Sequence, residues 1–150
     1  MVQGNQKAEG EEMKKILCTM MVISVMLITR TALGKNLKYS CTFSNPHIIE
    51  YKNSTFHEYN GKDTLSIEYI YDTTTNKAYM IGNNGVSEEI AILTSSSQTT
   101  FIETTQSGNV TVTSIYPSKT NKKPSIHSRH INMLDGSVNS QFYGYCDEIK

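Results

Sequence analysis

Hydrophobic and polar positions alternate over short stretches of this chain, a pattern typical of half-buried β-strands. Between Leu37 and Phe43, apolar residues take every second position and polar residues lie between them. From Leu65 to Tyr71, apolar residues again take every second position, with Ser66, Glu68 and Ile70 between them. There is no convincing helical period, and Thr, Ser, Tyr, Ile and Val dominate. The pattern therefore predicts an all-β protein.

Turn residues divide the remaining chain into further short strands. Asn83-Asn84-Gly85 predicts a hairpin because Asn and Gly tolerate positive φ. Asn45-Pro46 is expected to end the first strand, and the segment 47–62 is ambiguous: its start (HIIEY) could be a short strand, whereas 53–61 is polar and loop-like. The predicted strands are 37–43, 65–71, 77–82, 86–94, 99–105, 110–116, 125–133 and 140–146.

Seven to eight short strands joined by short turns favour a small antiparallel meander that closes, or nearly closes, into a barrel. A β-sandwich is the competing architecture. Short hairpin turns between successive strands favour the meander. If the first and last strands are neighbours, Cys41 and Cys146 lie together at the seam of the barrel.

The N-terminal segment has the pattern of a secretory signal peptide. A short positive start at residues 13–15 precedes an apolar run at 16–28, and Ala32 and Gly34 have the spacing that signal peptidase recognises. The run is shorter than the roughly 20 apolar residues that cross a bilayer. We therefore expect residues 1–34 to be a leader plus signal peptide that is cleaved. Translation is expected to start at Met13 rather than Met1.

Residues 35–150 then form a single β domain, periplasmic or secreted and without a transmembrane segment. Of the 14 basic and 14 acidic residues, four and three lie in the cleaved segment, so ten basic and eleven acidic residues remain. Because no basic patch is present, a nucleic acid is not an expected partner. Cleavage removes Cys18 and leaves Cys41 and Cys146, which predicts one disulfide in an oxidising compartment.

The motif HSRH holds two candidate binding residues, His127 and Arg129. On a strand they share one face, whereas His130 lies on the other, so the two histidines cannot easily hold one metal ion. No metal or cofactor is expected. Arg129 is the only arginine after residue 34. It either contacts an anion or a partner, or it braces the sheet by pairing with Glu103, Glu68 or Glu88.

Tyr143 and Tyr145 share a face of the last strand, opposite Phe142, Gly144 and Cys146. If the cysteine face points inward, the two tyrosines point outward and can form a contact surface. The alternative is ordinary cross-strand packing.

Catalytic signatures are missing from the sequence. There is no G-x-S-x-G motif. Glu88 and Glu89 are adjacent, so on a strand they face opposite ways and cannot act as an acid/base couple. These observations predict a protein that is not an enzyme.

Several motifs together carry a resemblance to a known group of proteins. HSRH followed by a turn and SQFYGYC, with FIETTQSGNVTVTSI and the GNNG hairpin, resembles small exported bacterial proteins, mostly proteobacterial and uncharacterised. The resemblance covers 39–146 and implies a secreted or periplasmic β protein without an agreed activity. A looser similarity, through the Tyr-x-Cys opening strand and the closing cysteine, is to periplasmic small-barrel lysozyme inhibitors. Their inhibitory loop motif is not visible here.

Together these observations predict an exported, non-enzymatic binding module. The candidate site comprises Arg129, His127, Tyr143 and Tyr145, and the expected ligand is an unknown protein or an anion. The alternative is a carrier that holds a small molecule inside the barrel, as lipocalins do.

Overall fold

The computed structural model describes residues 34–82, 85, 87–134 and 136–149. Residues 1–33, which hold nearly all of the expected signal peptide, and the turn residues 83–84 lie outside the described residues. The described residues form nine strands and no helix, which confirms the all-β prediction. Within them, no helix has the length and apolar character needed to cross a bilayer. The strands are β1 (Asn36–Lys52), β2 (Thr55–Asn60), β3 (Thr64–Asp72), β4 (Lys77–Ile81), β5 (Ser87–Thr94), β6 (Thr99–Thr104), β7 (Val110–Ile115), β8 (Lys122–Met133) and β9 (Gly136–Ile149).

A closed barrel of eight antiparallel strands is the central feature of the fold. Strands β3 to β9 follow one another as a meander, and β1 pairs with β3 on one side and with β9 on the other. The ninth strand, β2, pairs with β1. Because the sheet closes on itself, the prediction of a barrel is confirmed rather than that of a β-sandwich. Cys41 and Cys146 lie directly opposite each other across β1 and β9 and form the predicted disulfide at this seam.

Side chains from the inward faces of the strands fill the barrel. On β1, alternate residues are buried, as the sequence pattern predicted. At the seam, Gly144 lies opposite Phe43, and a Cβ on Gly144 would sit 2.0 Å from the carbonyl oxygen of Thr42, so glycine allows the two strands to approach closely. The buried cluster consists of Tyr39, Cys41, Phe43, Ile67, Tyr69, Ala78, Ile90, Phe101, Ile115, Phe142 and Cys146.

The prediction that Asn45-Pro46 ends the first strand is wrong. The β1–β9 register shifts between Ser44 and His47, and Asn45 has a φ of 50°, so the chain passes through a β-bulge and β1 continues to Lys52. Proline has no N–H to donate to a ladder, and a bulge is one of the places in a sheet that tolerates this. The bulge is held from the β2–β3 side, where the Gly61 N–H donates to the Pro46 carbonyl at 2.8 Å.

The prediction of a loop at 53–61 is also wrong, because this segment contains β2. Asn53 and Ser54 both have positive φ, 51° and 63°, as in the two-residue turns that join β-hairpins. All six residues of β2 are exposed, so its sequence has no buried apolar face to reveal it. Beyond Ser44, β2 takes the place of β3 beside β1.

The last two strands are longer than predicted: β8 begins at Lys122 instead of residue 125, and β9 begins at Gly136 instead of residue 140. The extra residues at the start of β8 pair with the end of β9, and those at the start of β9 pair with the end of β8 and with the second half of β1. The additional length brings Lys122 into the sheet opposite Asp147.

We expect the Cys41–Cys146 disulfide to contribute about 4–5 kcal/mol to the free energy of unfolding, because it closes a loop with a sequence separation of 105. Urea unfolding of the oxidised protein should therefore have a markedly higher midpoint than unfolding in reductant. The double variant Cys41→Ala, Cys146→Ala is the control and should be insensitive to reductant. Equal midpoints for oxidised and fully reduced wild type would contradict the expectation.

Candidate functional site

Tyr143 and Tyr145 project from the outer face of β9, as expected if the cysteine face points inward. Residues opposite each other in an antiparallel pair share a face, and both flanking strands place small or aliphatic side chains beside the tyrosines. Tyr145 lies between Thr42 of β1 and Pro124 of β8. The two rings consequently remain about half exposed, at 52% for Tyr143 and 51% for Tyr145.

These residues belong to a groove of about 680 Å³ across β1, β9 and β8, which we call the outer groove. Lys122 and Asp147 face each other at one end of it. The Lys122 ammonium lies 5.0 Å from the centre of the Tyr145 ring, within cation–π range. The Tyr143 hydroxyl donates a hydrogen bond of 2.8 Å to the side-chain carbonyl of Gln141, which orients that ring.

His127 lies inside the barrel, away from the outer groove, with only 2% of its surface exposed. Its ring packs against Phe43 and Phe142, with ring centres 5.3 and 5.8 Å away. Its Nδ1 lies 2.7 Å from the Thr113 hydroxyl, which also hydrogen-bonds the Tyr69 hydroxyl at 2.5 Å. Each of these buried polar side chains therefore has a partner, and together they join β3, β7 and β8.

Burial controls the protonation of His127 and Tyr69 in this hydrogen-bonded network. It lowers the pKa of His127 to about 4, and the positive charge of Arg129 acts in the same direction. Burial also raises the pKa of Tyr69, so its hydroxyl keeps its proton at neutral pH. A hydroxyl beside an imidazole has the composition of a nucleophile and its base. Thr113 is buried as deeply as His127, however, so a substrate has no access to the pair.

Arg129 shares the inward-pointing positions of β8 with His127 and is partly buried. It lines a separate pocket of about 300 Å³ with His47, His130 and Asn139. Among the ion pairs of the described residues, none involves Arg129. The carboxylates proposed as its partners are engaged elsewhere in two cases: Glu103 accepts from Thr111 at 2.7 Å, and Glu68 pairs with Lys38 at 2.8 Å.

The four candidate residues from the sequence therefore do not form one surface. Tyr143 and Tyr145 lie together on the outer face, whereas His127 and Arg129 occupy inward positions. Sequence reasoning did not include Thr42, Ser44, Lys122 or Asp147, which line the outer groove. Strand alternation alone could have placed Asp147 on the same face as the tyrosines, but the contribution of β1 depends on how the barrel closes.

Within the described residues, no group of three or more potential metal ligands comes together. Comparisons of the chain with protein-family models, with curated proteins and with solved structures find no match.

We predict that acid destabilises the protein through His127. Its folded-state pKa of about 4 lies below the ordinary value of 6.5, so the unfolded chain takes up the proton first. The contribution of His127 to the free energy of unfolding is fully present above pH 6.5. It falls by about 3 kcal/mol as the pH is lowered towards 4. Urea unfolding measured across this range tests the prediction.

His127→Gln should remove this pH dependence, at the cost of a lower stability at neutral pH. His130→Gln is the matched control, since His130 is exposed on the opposite face of the same strand. It should retain the slope of the wild type. An unchanged slope in His127→Gln would exclude His127 as the source of acid lability.

Proposed function

We propose that this chain is an exported, non-enzymatic binding module that holds its ligand in the outer groove. The observation that carries the proposal is the pair of half-exposed tyrosines, Tyr143 and Tyr145, side by side in a groove with Lys122 and Asp147. Tyrosine is enriched at binding surfaces because its ring offers a large apolar area and its hydroxyl a hydrogen bond, with few rotatable bonds to order.

The filled interior of the barrel favours a ligand site in the outer groove over the alternative, a lipocalin-like carrier with a ligand inside the barrel. Lipocalin-type barrels enclose a ligand cavity. Here large side chains from the facing strands meet at the centre: the Phe101 ring stacks on Tyr69 with centres 4.3 Å apart and contacts the edge of Tyr39 at 6.1 Å. A small molecule would have to displace these well-packed rings, at the cost of their burial.

The exported location is supported by the disulfide. An oxidising compartment lets such a bond form and persist, whereas the cytosol reduces it. Both sulfur-bearing residues are buried, Cys41 at 1% and Cys146 at 0% exposure, which is compatible with a structural role for the bond.

The proposal predicts that ligand capture depends on the two groove tyrosines. Immobilised wild-type protein would be incubated with a periplasmic and extracellular extract, and retained components quantified by mass spectrometry. The variant Tyr143→Ala, Tyr145→Ala should retain the specific component at least tenfold less, since loss of a central aromatic contact of about 2 kcal/mol suffices for that change.

Two controls make this experiment specific. Tyr59→Ala removes a tyrosine of similar exposure from β2, outside the groove, and Arg129→Ala removes the residue of the other pocket. Both should retain the component as the wild type does. If the double tyrosine variant recovers every component equally while remaining folded by circular dichroism, the outer groove is not the binding site.

A further inference from the structure

The outer groove combines features that identify a chemical class of ligand. The inference rests on the proposed function, because it concerns the same groove. We propose that the outer groove binds a neutral, linear chain of hexopyranose units. The argument comes from the groove's charge, its aromatic rings and its free hydrogen-bonding groups.

The charge of the groove favours a neutral ligand. Its two charged residues, Lys122 and Asp147, have opposite signs and face each other across β8 and β9. The neighbouring Lys123 points to the other face and is paired with Glu148 at 3.3 Å. With no excess of either sign, the groove has no Coulombic preference for an anion or a cation. An anionic ligand, one of the classes suggested by the sequence, gains nothing here.

The tyrosines provide flat apolar surfaces in a row. Tyr143 and Tyr145 are two positions apart on one strand face, so their Cα atoms are separated by about 7 Å. Ser44 and Thr42, opposite them on β1, are short and leave that side of the rings open. The face of an aromatic ring is electron-rich and attracts weakly positive C–H groups. One face of a hexopyranose ring is largely C–H, so successive sugar units can stack along such a row.

Polar groups around the rings are available to a ligand. Among the side-chain hydrogen bonds of the described residues, none uses Thr42, Ser44, Tyr145 or Asp147. The three hydroxyls can donate and accept, whereas the carboxylate only accepts. A sugar presents many hydroxyls that act both as donors and as acceptors around its rim. The hydrogen-bond donors and acceptors of the groove therefore match the hydroxyls of a sugar unit stacked on the tyrosines.

An extended peptide fits the same groove less well. The floor is formed by β1, β9 and β8, whose backbone groups are already paired in ladders, so a peptide cannot add as another strand. A proline-rich peptide could stack on the tyrosines, as in other aromatic-lined grooves. Proline has no N–H, however, so such a peptide offers Asp147 no donor, and covering an unpaired carboxylate costs free energy.

Isothermal titration with hexa-N-acetylchitohexaose, cellohexaose and maltohexaose, which are all neutral, tests the inference, with decaproline and inorganic phosphate as the rival ligands. At least one hexasaccharide should bind wild-type protein with a dissociation constant below millimolar. Its affinity should not change between about 50 mM and about 500 mM sodium chloride, because a neutral ligand is not screened. Tyr143→Ala, Tyr145→Ala should weaken it at least tenfold, and Asp147→Asn several-fold. Tyr59→Ala should bind as wild type.

Absence of binding by all three hexasaccharides, or equal binding by the double tyrosine variant, overturns the inference. Tighter binding of decaproline or phosphate than of any hexasaccharide also overturns it. The capture experiment tests the proposed function independently of these titration results. If tyrosine-dependent capture persists, the groove is a binding site for another class of ligand. If capture is independent of the tyrosines, the proposed function falls as well.

Discussion

The pairing of β1 with β9 joins the two ends of the meander and converts an open sheet into a closed barrel. The contact runs from Lys38 opposite Ile149 to Lys52 opposite Gly136. Its register sets the disulfide cysteines directly opposite each other and places Gly144 against the β1 backbone, where a larger residue would clash. Closure also gives the strands at both ends of the meander a partner, which removes edges that would otherwise be open to aggregation.

The strands at and beside this seam carry different side chains on their inner and outer faces. Residues of β8 and β9 alternate between the interior and the surface, so neighbours in sequence enter different environments. His127 and Phe142 pack inside, whereas Tyr143 and Tyr145 remain exposed. The interior polar groups satisfy one another and stabilise the barrel, and the exterior groove keeps its polar groups available. The barrel thus combines a filled core with an open polar groove on its outer face.

The bulge at Asn45-Pro46 shows how a local irregularity changes the edge of a sheet. It lets β1 turn away from β3 and continue beside β9, with β2 as a new neighbour. The only partner of β2 among the described residues is β1, and its six residues are exposed. Glu58 and His57 on this strand place charged or polar groups at an edge, which is how many sheets limit unwanted strand addition.

The sequence by itself determined the strands that have one buried face, together with the direction of their side chains. Alternation is a local property with a period of two, so Cys41 could be assigned to the apolar face of its strand, and Tyr143 to the face opposite Cys146, before any strand was paired. Two cysteines in a chain with an export signal pattern predicted the disulfide for a chemical reason that does not depend on the fold.

Only the tertiary structure decided which strands meet. β2 carries no apolar face, and its Asn53-Ser54 turn lacks the glycine that marks most hairpins, so no local signal revealed it. The outer groove takes Thr42 and Tyr145 from strands far apart in sequence, and His127 is buried because Phe43 and Phe142 close over it. These neighbours are set by long-range register and barrel closure, which no short stretch of sequence contains.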